Sequence, residues 1–331
     1  MPLSTKILSE SLHDVAYTIL ETTLNKDVDQ AEVFVGENKI TVFSYKNGLM
    51  ENTSKHNFEL AIRVALNQKV GGSATNIWGG KRLLNTIISR AVKSAITDAR
   101  NSSRDHRFRS FAFPKCGSGI IVFDDKIAFP DYNVIVEYLK SQISNIRGIA
   151  NNIRLLELTL ELGYFRNIIM NSNGIDIVDG GTFVSIYTYI KIRKNAQESE
   201  GSEFLSCKKL SDLMKKETFG ETAVLKALTS INKQKIEPFT GDLIVENFIL
   251  PDFLWPVIHQ ISALEVLEKR SKLSNMIGEK IASSIITIID DGTNPIGLSS
   301  SKYDFEGQPK KKNVLIHKGI LKSFYYDTYT A

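Results

Sequence analysis

The hydrophobic positions of this chain change period several times, and each change predicts an element. Between Ser11 and Lys26, apolar residues at Leu12, Val15, Ala16, Ile19, Leu20 and Leu24 follow the spacing of one helix face. Ala31–Val35 and Ile40–Tyr45 read as two short strands. Lys46-Asn47-Gly48 predicts a turn, because Asn-Gly tolerates the positive φ a tight hairpin requires. Phe58–Leu66 resumes strand character, Gly71-Gly72 predicts a second turn and Ser73–Asn76 a short return strand. Gly79-Gly80 then opens a long helix with Leu84, Ile87, Ile88, Ala91, Val92 and Ala95 along one side.

Beyond a polar, basic stretch at Asn101–Arg109, the pattern repeats with different lengths. That stretch reads as a linker; its Arg104, His106, Arg107 and Arg109 form the alternative, an anion-binding patch. Asn133–Ile149 has helical spacing. Leu156, Leu158, Leu160 and Leu162 alternate with Glu157, Thr159 and Glu161, the clearest half-buried strand in the chain. Asn171-Ser172-Asn173-Gly174 predicts a turn, and Thr182–Arg193 a long strand with Phe183, Tyr187 and Tyr189 on one face. Asn195–Ser202 predicts an exposed loop, Lys209–Ser230 a helix broken at Gly220, and Leu243–Ile249 a strand. Pro251-Asp252 starts a helix drawn out to Arg270, with Leu254, Val257, Ile258 and Ile261 facing inward. Ile281–Ile289 is rich in β-branched residues and predicts a buried strand. Val314–Ile316, Lys318-Gly319 and Ile320–Tyr326 make a hairpin.

Helices alternate with antiparallel strands, without the regular βαβ pattern of a parallel sheet, so the predicted class is α+β. Three domains are expected: an N-terminal α+β domain over 1–105, a central domain of antiparallel strands and helices over 106–232, and a mostly β C-terminal domain over 233–331.

Composition narrows the function classes. Lys+Arg 41 against Asp+Glu 37 leaves a net charge of +4, too mild to indicate nucleic acid. The densest basic run, Lys310-Lys311-Lys312, reads as a solvated approach to the hairpin. No apolar stretch is long enough to span a bilayer. Met1-Pro2-Leu3-Ser4-Thr5-Lys6 lacks the apolar core of a secretory signal, so a cytoplasmic location is expected. Cys116 and Cys207 form no CxxC pair, which fits a reducing compartment and two small buried hydrophobes.

Generic catalytic motifs are absent from the sequence. The five histidines, His13, His56, His106, His259 and His317, include no HExxH pair able to aim two imidazoles at one metal. GxxxxGK[ST], GxGxxG and GxSxG are missing too. Asp290-Asp291-Gly292 and Asp304-Phe305-Glu306-Gly307 place carboxylates at predicted strand ends. Such groups either bind a cation and move protons, or simply form turns beside glycine.

Linked stretches then bring a specific likeness. Met276-Ile277-Gly278-Glu279-Lys280-Ile281-Ala282-Ser283, Asp290-Asp291-Gly292-Thr293, Tyr303-Asp304-Phe305-Glu306-Gly307-Gln308-Pro309, Ile316-His317-Lys318-Gly319-Ile320-Leu321 and Tyr329-Thr330-Ala331 occur in this order. Together they resemble the TldD/PmbA family, whose pattern reads approximately LGExVAS, DDGT, DxEG and a GxL hairpin. Asn47-Gly48-Leu49-Met50-Glu51, Ala61-Ile62-Arg63-Val64, Gly71-Gly72-Ser73-Ala74-Thr75-Asn76, Asn171-Ser172-Asn173-Gly174 and Glu237-Pro238-Phe239-Thr240-Gly241 are similar to its other motifs.

The family carries the names modulator of DNA gyrase and peptidase. By this resemblance, a TldD-type subunit holds zinc on an HExxxH helix and hydrolyses unfolded peptides, while a PmbA-type (TldE) subunit lacks that motif. The equivalent run here has His259 in the first ligand's place, Gln260 in place of the glutamate and Leu264 in place of the second histidine. Glutamine cannot take a proton from water and leucine cannot bind zinc. The resemblance therefore implies a PmbA-like chain with no catalytic or metal-binding residue of its own. It would act as the partner of a zinc-bearing TldD-type subunit on unfolded peptide, in a homo- or hetero-oligomer, away from membrane and nucleic acid. Asn171, Gly174, His259, Asp290, Asp291, Asp304, Glu306 and Gly307 are its candidate peptide-cavity or motif residues. The family pattern runs on past the position of Ala331, so the C-terminal domain is expected to be truncated. The alternatives are an independent metallopeptidase with scattered ligands such as His259, Asp290 and Glu306, and a nucleic-acid-associated protein.

Overall fold

Alternation along two long strands dictates the architecture. The computed structural model describes residues 12–77, 81–117 and 122–331. Strand β4 (Ile153–Asn171) turns Leu156, Leu158, Leu160 and Leu162 to one face, each no more than 1% exposed, while Glu157 and Glu161 point the other way. Its partner β5 (Asp176–Lys194) does the same with Val184, Ile186, Ile190 and Ile192. Burying each such side chain is worth roughly 1.5–3 kcal/mol, so a one-residue slip in register would forfeit the whole set.

These strands belong to one six-stranded antiparallel sheet of order β3-β2-β1-β4-β5-β6. Its other members are β1 (Gln30–Lys46), β2 (Leu49–Leu66), β3 (Lys69–Asn76) and β6 (Gln197–Cys207). Pairing of β1 with β4, from Glu32 opposite Asn171 to Lys46 opposite Glu157, joins strands of the first hundred residues to those of the middle. Helices cover one face in two blocks. Helices α1 (Leu12–Leu24) and α2 (Lys81–Asn101) pack on Val33, Val35, Leu60 and Ile62. Helices α4 (Tyr132–Ile149) and α6 (Glu221–Thr229) pack on Phe43 and the leucines of β4. The short α3 (Asp125–Ala128) and α5 (Leu210–Met214) precede them.

On the opposite face, Phe34 meets Phe305 edge to face at 5.8 Å, and Ala112, Ile169, Ile175 and Ile177 form a small core with Phe34 and Tyr303. The C-terminal third lies here. It holds helices α7 (Leu250–Gln260) and α8 (Ala263–Leu267) and a three-stranded sheet of β7 (Ile288–Asp291), β8 (Lys312–His317) and β9 (Ile320–Leu321). Ile261, Leu315, Ile316, Leu321 and Phe324 form its own core. No helix among the described residues is long and apolar enough to cross a membrane.

Several expectations change. The two short strands at Ala31–Val35 and Ile40–Tyr45 are one strand, because Gly36 and Glu37 continue the pairing. Gly71 and Gly72 lie inside β3. The β2–β3 turn falls at Asn67-Gln68, both with positive φ, and Gly71 is needed because α2 passes directly over it at Ala99. Asn195–Ser202 is the Asn195-Ala196 turn and the start of edge strand β6, whose outward Glu200 pairs with Lys191 at 3.2 Å. Leu243–Ile249 forms no strand, and only the end of the Ile281–Ile289 run does. The helix expected to reach Arg270 breaks after Gln260 and restarts at Ala263; Val257, Ile258 and Ile261 join the core, but Leu254 does not. The Gly79-Gly80 helix start and the Met1–Lys6 segment lie outside the described residues.

The Asn47-Gly48 turn supplies a direct check. Gly48 has φ of +101° with nothing near a would-be Cβ, so strain alone opposes a side chain. Gly48→Val is expected to destabilise the fold by more than about 1 kcal/mol. An unchanged midpoint in urea unfolding would contradict the turn geometry.

Candidate functional site

A cleft of about 750 Å³ opens between the C-terminal third and the 112–115 segment. Asp290, Asp291, Asp304 and Glu306, four of the carboxylates singled out from sequence, all line it. β7 ends at Asp291, and the next residues turn because Asp291 Oδ1 accepts from both Thr293 N at 3.1 Å and Thr293 Oγ1 at 2.7 Å. These bonds hold its carboxyl below the usual range. Asp304 Oδ1 accepts from Glu306 N at 2.9 Å and Gln308 N at 2.8 Å, forming the 304–308 turn. Burial nevertheless pushes the Asp304 carboxyl up, against those two donors.

Glu306 reaches two ways. Its Oε2 accepts from Thr328 N at 2.8 Å, tying the turn to the 326–328 wall of the cleft. Its Oε1 accepts from Arg63 Nη2 on β2 at 3.3 Å. Arg63 also donates from Nε to Glu32 Oε1 on β1 at 2.8 Å. Gly307 has φ of +73°, and a Cβ there would stand 2.8 Å from Ile175, so the turn sits directly on the Asn171–Ile175 corner.

That corner is built by Asn171, which is 3% exposed. Its Nδ2 donates to Ala112 O at 2.8 Å, and its Oδ1 accepts from Asn173 N at 3.0 Å and Ile175 N at 3.1 Å. Gly174 completes the turn with φ of +93°. Both residues thus support the cleft from beneath and do not line it.

Lysines counter the acids. Lys115, Lys310 and Lys311 line the cleft, so this part of the basic run is a site wall as well as a hairpin approach. Lys310 Nζ donates to Ser299 O at 2.8 Å. Lys208, 7% exposed, donates to Ser300 O at 2.6 Å, and burial pulls its ammonium pKa down. These bonds fix the 299–300 edge. Glu32 and Lys208 lie in no sequence motif, and Arg63 lies in the Ala61–Val64 stretch without a role attached to it. Their only signal is a charged residue at an inward position of a strand or at its end.

His259 and Gln260 are elsewhere. They line a separate groove of about 660 Å³ with Trp255, Val257, Lys272 and Leu273. The helix break places Leu264 on α8, so the two ligand positions of the zinc motif do not share one helix. His259 Nδ1 is 3.7 Å from Glu265 Oε2, but Arg270 already binds both oxygens of Glu265, at 2.9 and 2.6 Å. Among the described residues, no three His, Cys, Asp or Glu side chains converge in a metal-binding group. Gln260 and Leu264 supply neither the base nor the second ligand of that motif.

Comparison with known proteins places this architecture. Residues 240–331 match a family model described as the PmbA/TldA metallopeptidase C-terminal domain. An uncharacterized protein of Methanocaldococcus jannaschii is 29% identical over 306 residues, covering 91% of this chain and 65% of that one. The chain thus spans just under two thirds of that relative's length. A metalloprotease PmbA homolog of Buchnera aphidicola is 26% identical over 166 residues, covering 50% of this chain and 37% of its own. A crystal structure from Bacteroides thetaiotaomicron, titled as a candidate modulator of DNA gyrase, superposes with a TM-score of 0.84 at 22% identity. It covers 96% of this chain and 72% of its own.

The corner beneath the cleft can be tested alone. Asn171→Ala removes partners from three backbone groups, two of them buried and the third half-buried, and is expected to cost about 2 kcal/mol or more. Chemical denaturation measures it; a loss below about 0.5 kcal/mol would show that Asn171 does not hold the corner.

Proposed function

Because the chain belongs to the PmbA/TldD family, we propose that it is a PmbA-like, non-catalytic subunit that holds unfolded peptide for a zinc-bearing TldD-type partner. One observation carries this reading: Gln260 and Leu264 stand where a water-activating glutamate and a second histidine would be needed, across a helix break. A zinc peptidase site requires converging ligands and an activated water. A peptide-holding surface requires neither. The 750 Å³ cleft offers carboxylates and lysines for a peptide's polar groups, and the groove beside His259 offers Trp255 and Leu273 for its apolar ones. Cys116 is exposed and Cys207 half-buried, so neither is the buried hydrophobe expected from sequence; both are free thiols, in keeping with work in the cytoplasm.

The alternative of scattered ligands has little geometric support, since His259 lines one groove while Asp290 and Glu306 line the other. A nucleic-acid role has even less, given a net charge of +4.

Metal analysis and reconstitution test the proposal together. The purified chain should hold no stoichiometric zinc and cleave no unfolded peptide, with or without added zinc. Mixed with a TldD-type subunit, it should form a stable complex in which chelator-sensitive cleavage appears. One tightly bound zinc per isolated chain, or chelator-sensitive cleavage by that chain alone, would overturn it.

A further inference from the structure

Among the described residues, the buried side-chain oxygens without a hydrogen-bond partner are Glu32 Oε2 and Glu37 Oε2. Glu37 sits with His56 and Tyr164 on the helix-covered face. Glu32 adjoins the cleft through Arg63, and its arrangement is unbalanced. Arg63 Nε at 2.8 Å and Nη2 at 2.5 Å both address the same oxygen, Glu32 Oε1, leaving Oε2 idle. The same Nη2 serves Glu306 Oε1 at 3.3 Å. One guanidinium is thus divided between two carboxylates, the deeper being Glu32, whose side chain is 7% exposed against 18% for Glu306.

With both acids ionised, a net negative charge stays around Arg63, whose side chain is 44% exposed, and the two carboxylates repel, most felt at the buried Glu32. A proton on one relieves this, and burial favours Glu32 as its site: burial pushes its carboxyl up, against the pull of Arg63. Glu306 also holds Thr328 N, and its own backbone is fixed by Asp304, so a change in its hold on Arg63 acts on the 304–308 turn and the 326–331 wall together.

We propose that Glu32, Arg63 and Glu306 form a proton-linked latch on the cleft. A proton on Glu32 frees Arg63 to pair with Glu306 and seats that wall on the sheet. Loss of the proton divides Arg63 again and loosens the wall. The charged groups facing Glu32 are Arg63 from β2, which draws its carboxyl down, and Glu306 from the turn, which pushes it up; Asn171, at the end of β4, is neutral, and its side-chain amide draws the carboxyl down. Asp105, Arg107 and Tyr329 stand across the small cavity that Arg63 lines. The Tyr329 hydroxyl donates to Asp105 at 2.6 Å and holds its carboxyl below the usual range, so Asp105 stays ionised where Glu32 titrates. Because the folded-state pKa of Glu32 is raised, the latch is fully present at low pH and is lost as pH rises through that pKa.

Hydrogen exchange read by mass spectrometry on the full chain tests the latch. Protection of residues 303–331 is corrected for intrinsic exchange and referred to the β4–β5 core of the same molecule. Between about pH 4 and about pH 8 it should fall roughly tenfold in the wild type. Glu32→Gln should keep the segment protected throughout, with a flat profile. Glu306→Gln should give a flat profile at low protection. A flat wild-type profile, or a fall that survives in Glu32→Gln, would overturn the proposal. Should Glu32→Gln not fold, a fall that survives in Glu306→Gln would overturn it equally. None of these outcomes depends on zinc content or on a partner subunit.

Discussion

The guanidinium of Arg63 is the point on which the sheet and the C-terminal third converge. It projects from β2, is bound by Glu32 of the neighbouring strand, stacks over Phe111 at 5.2 Å and reaches Glu306 of the 304–308 turn. Each contact comes from a different stretch of chain. A buried Glu32 without Arg63 would be an uncompensated charge, which costs about 3–5 kcal/mol in comparable settings. The cleft therefore inherits its shape from an ion pair inside the sheet, and through Glu306 from the backbone of Thr328.

Around that point the structure separates two jobs. Apolar packing on the helix-covered face supplies stability: the leucines of β4 and the isoleucines of β5 are fully buried there. The opposite face carries polar fastenings beside a smaller apolar core. Lys208 holds Ser300, Asp179 accepts from Tyr303 N at 3.2 Å, and the Tyr329 hydroxyl donates to Asp105. Fastenings of this kind are directional and individually modest, so they fix a wall's position without fusing it to the sheet.

Elements with a strong periodic signal were legible from sequence. The alternation of Leu156–Leu162, the helical stripe from Leu84 to Ala95 and the Asn47-Gly48 turn all correspond to observed elements. Hidden features depended on partners far along the chain. Turns at Asn67-Gln68 and Asn195-Ala196 lack the glycine that marks such bends. The glutamates of β6 resemble loop residues because an edge strand displays its charges to solvent. Apolar runs at Leu243–Ile249 and Ile281–Ile289 imply burial as strands, yet Leu243 is 74% and Ile285 89% exposed here. For the site, Asp and Glu beside glycine pointed to the cleft-lining turns. Lys208 did not stand out, and Arg63 lay in a family-like stretch with no role of its own, since a lone charge acquires meaning only when the fold brings its counterpart close.

The coupling between Arg63 and Glu306 can be measured by a double-mutant cycle of Arg63→Met and Glu306→Gln, followed by urea unfolding. If the junction joins the sheet to the C-terminal third, the double mutant should be more stable than the sum of the single losses implies, by about 1–3 kcal/mol. Losses that add to within about 0.5 kcal/mol would mean that the two residues do not act together. The cleft would then owe its form to something other than this ion pair.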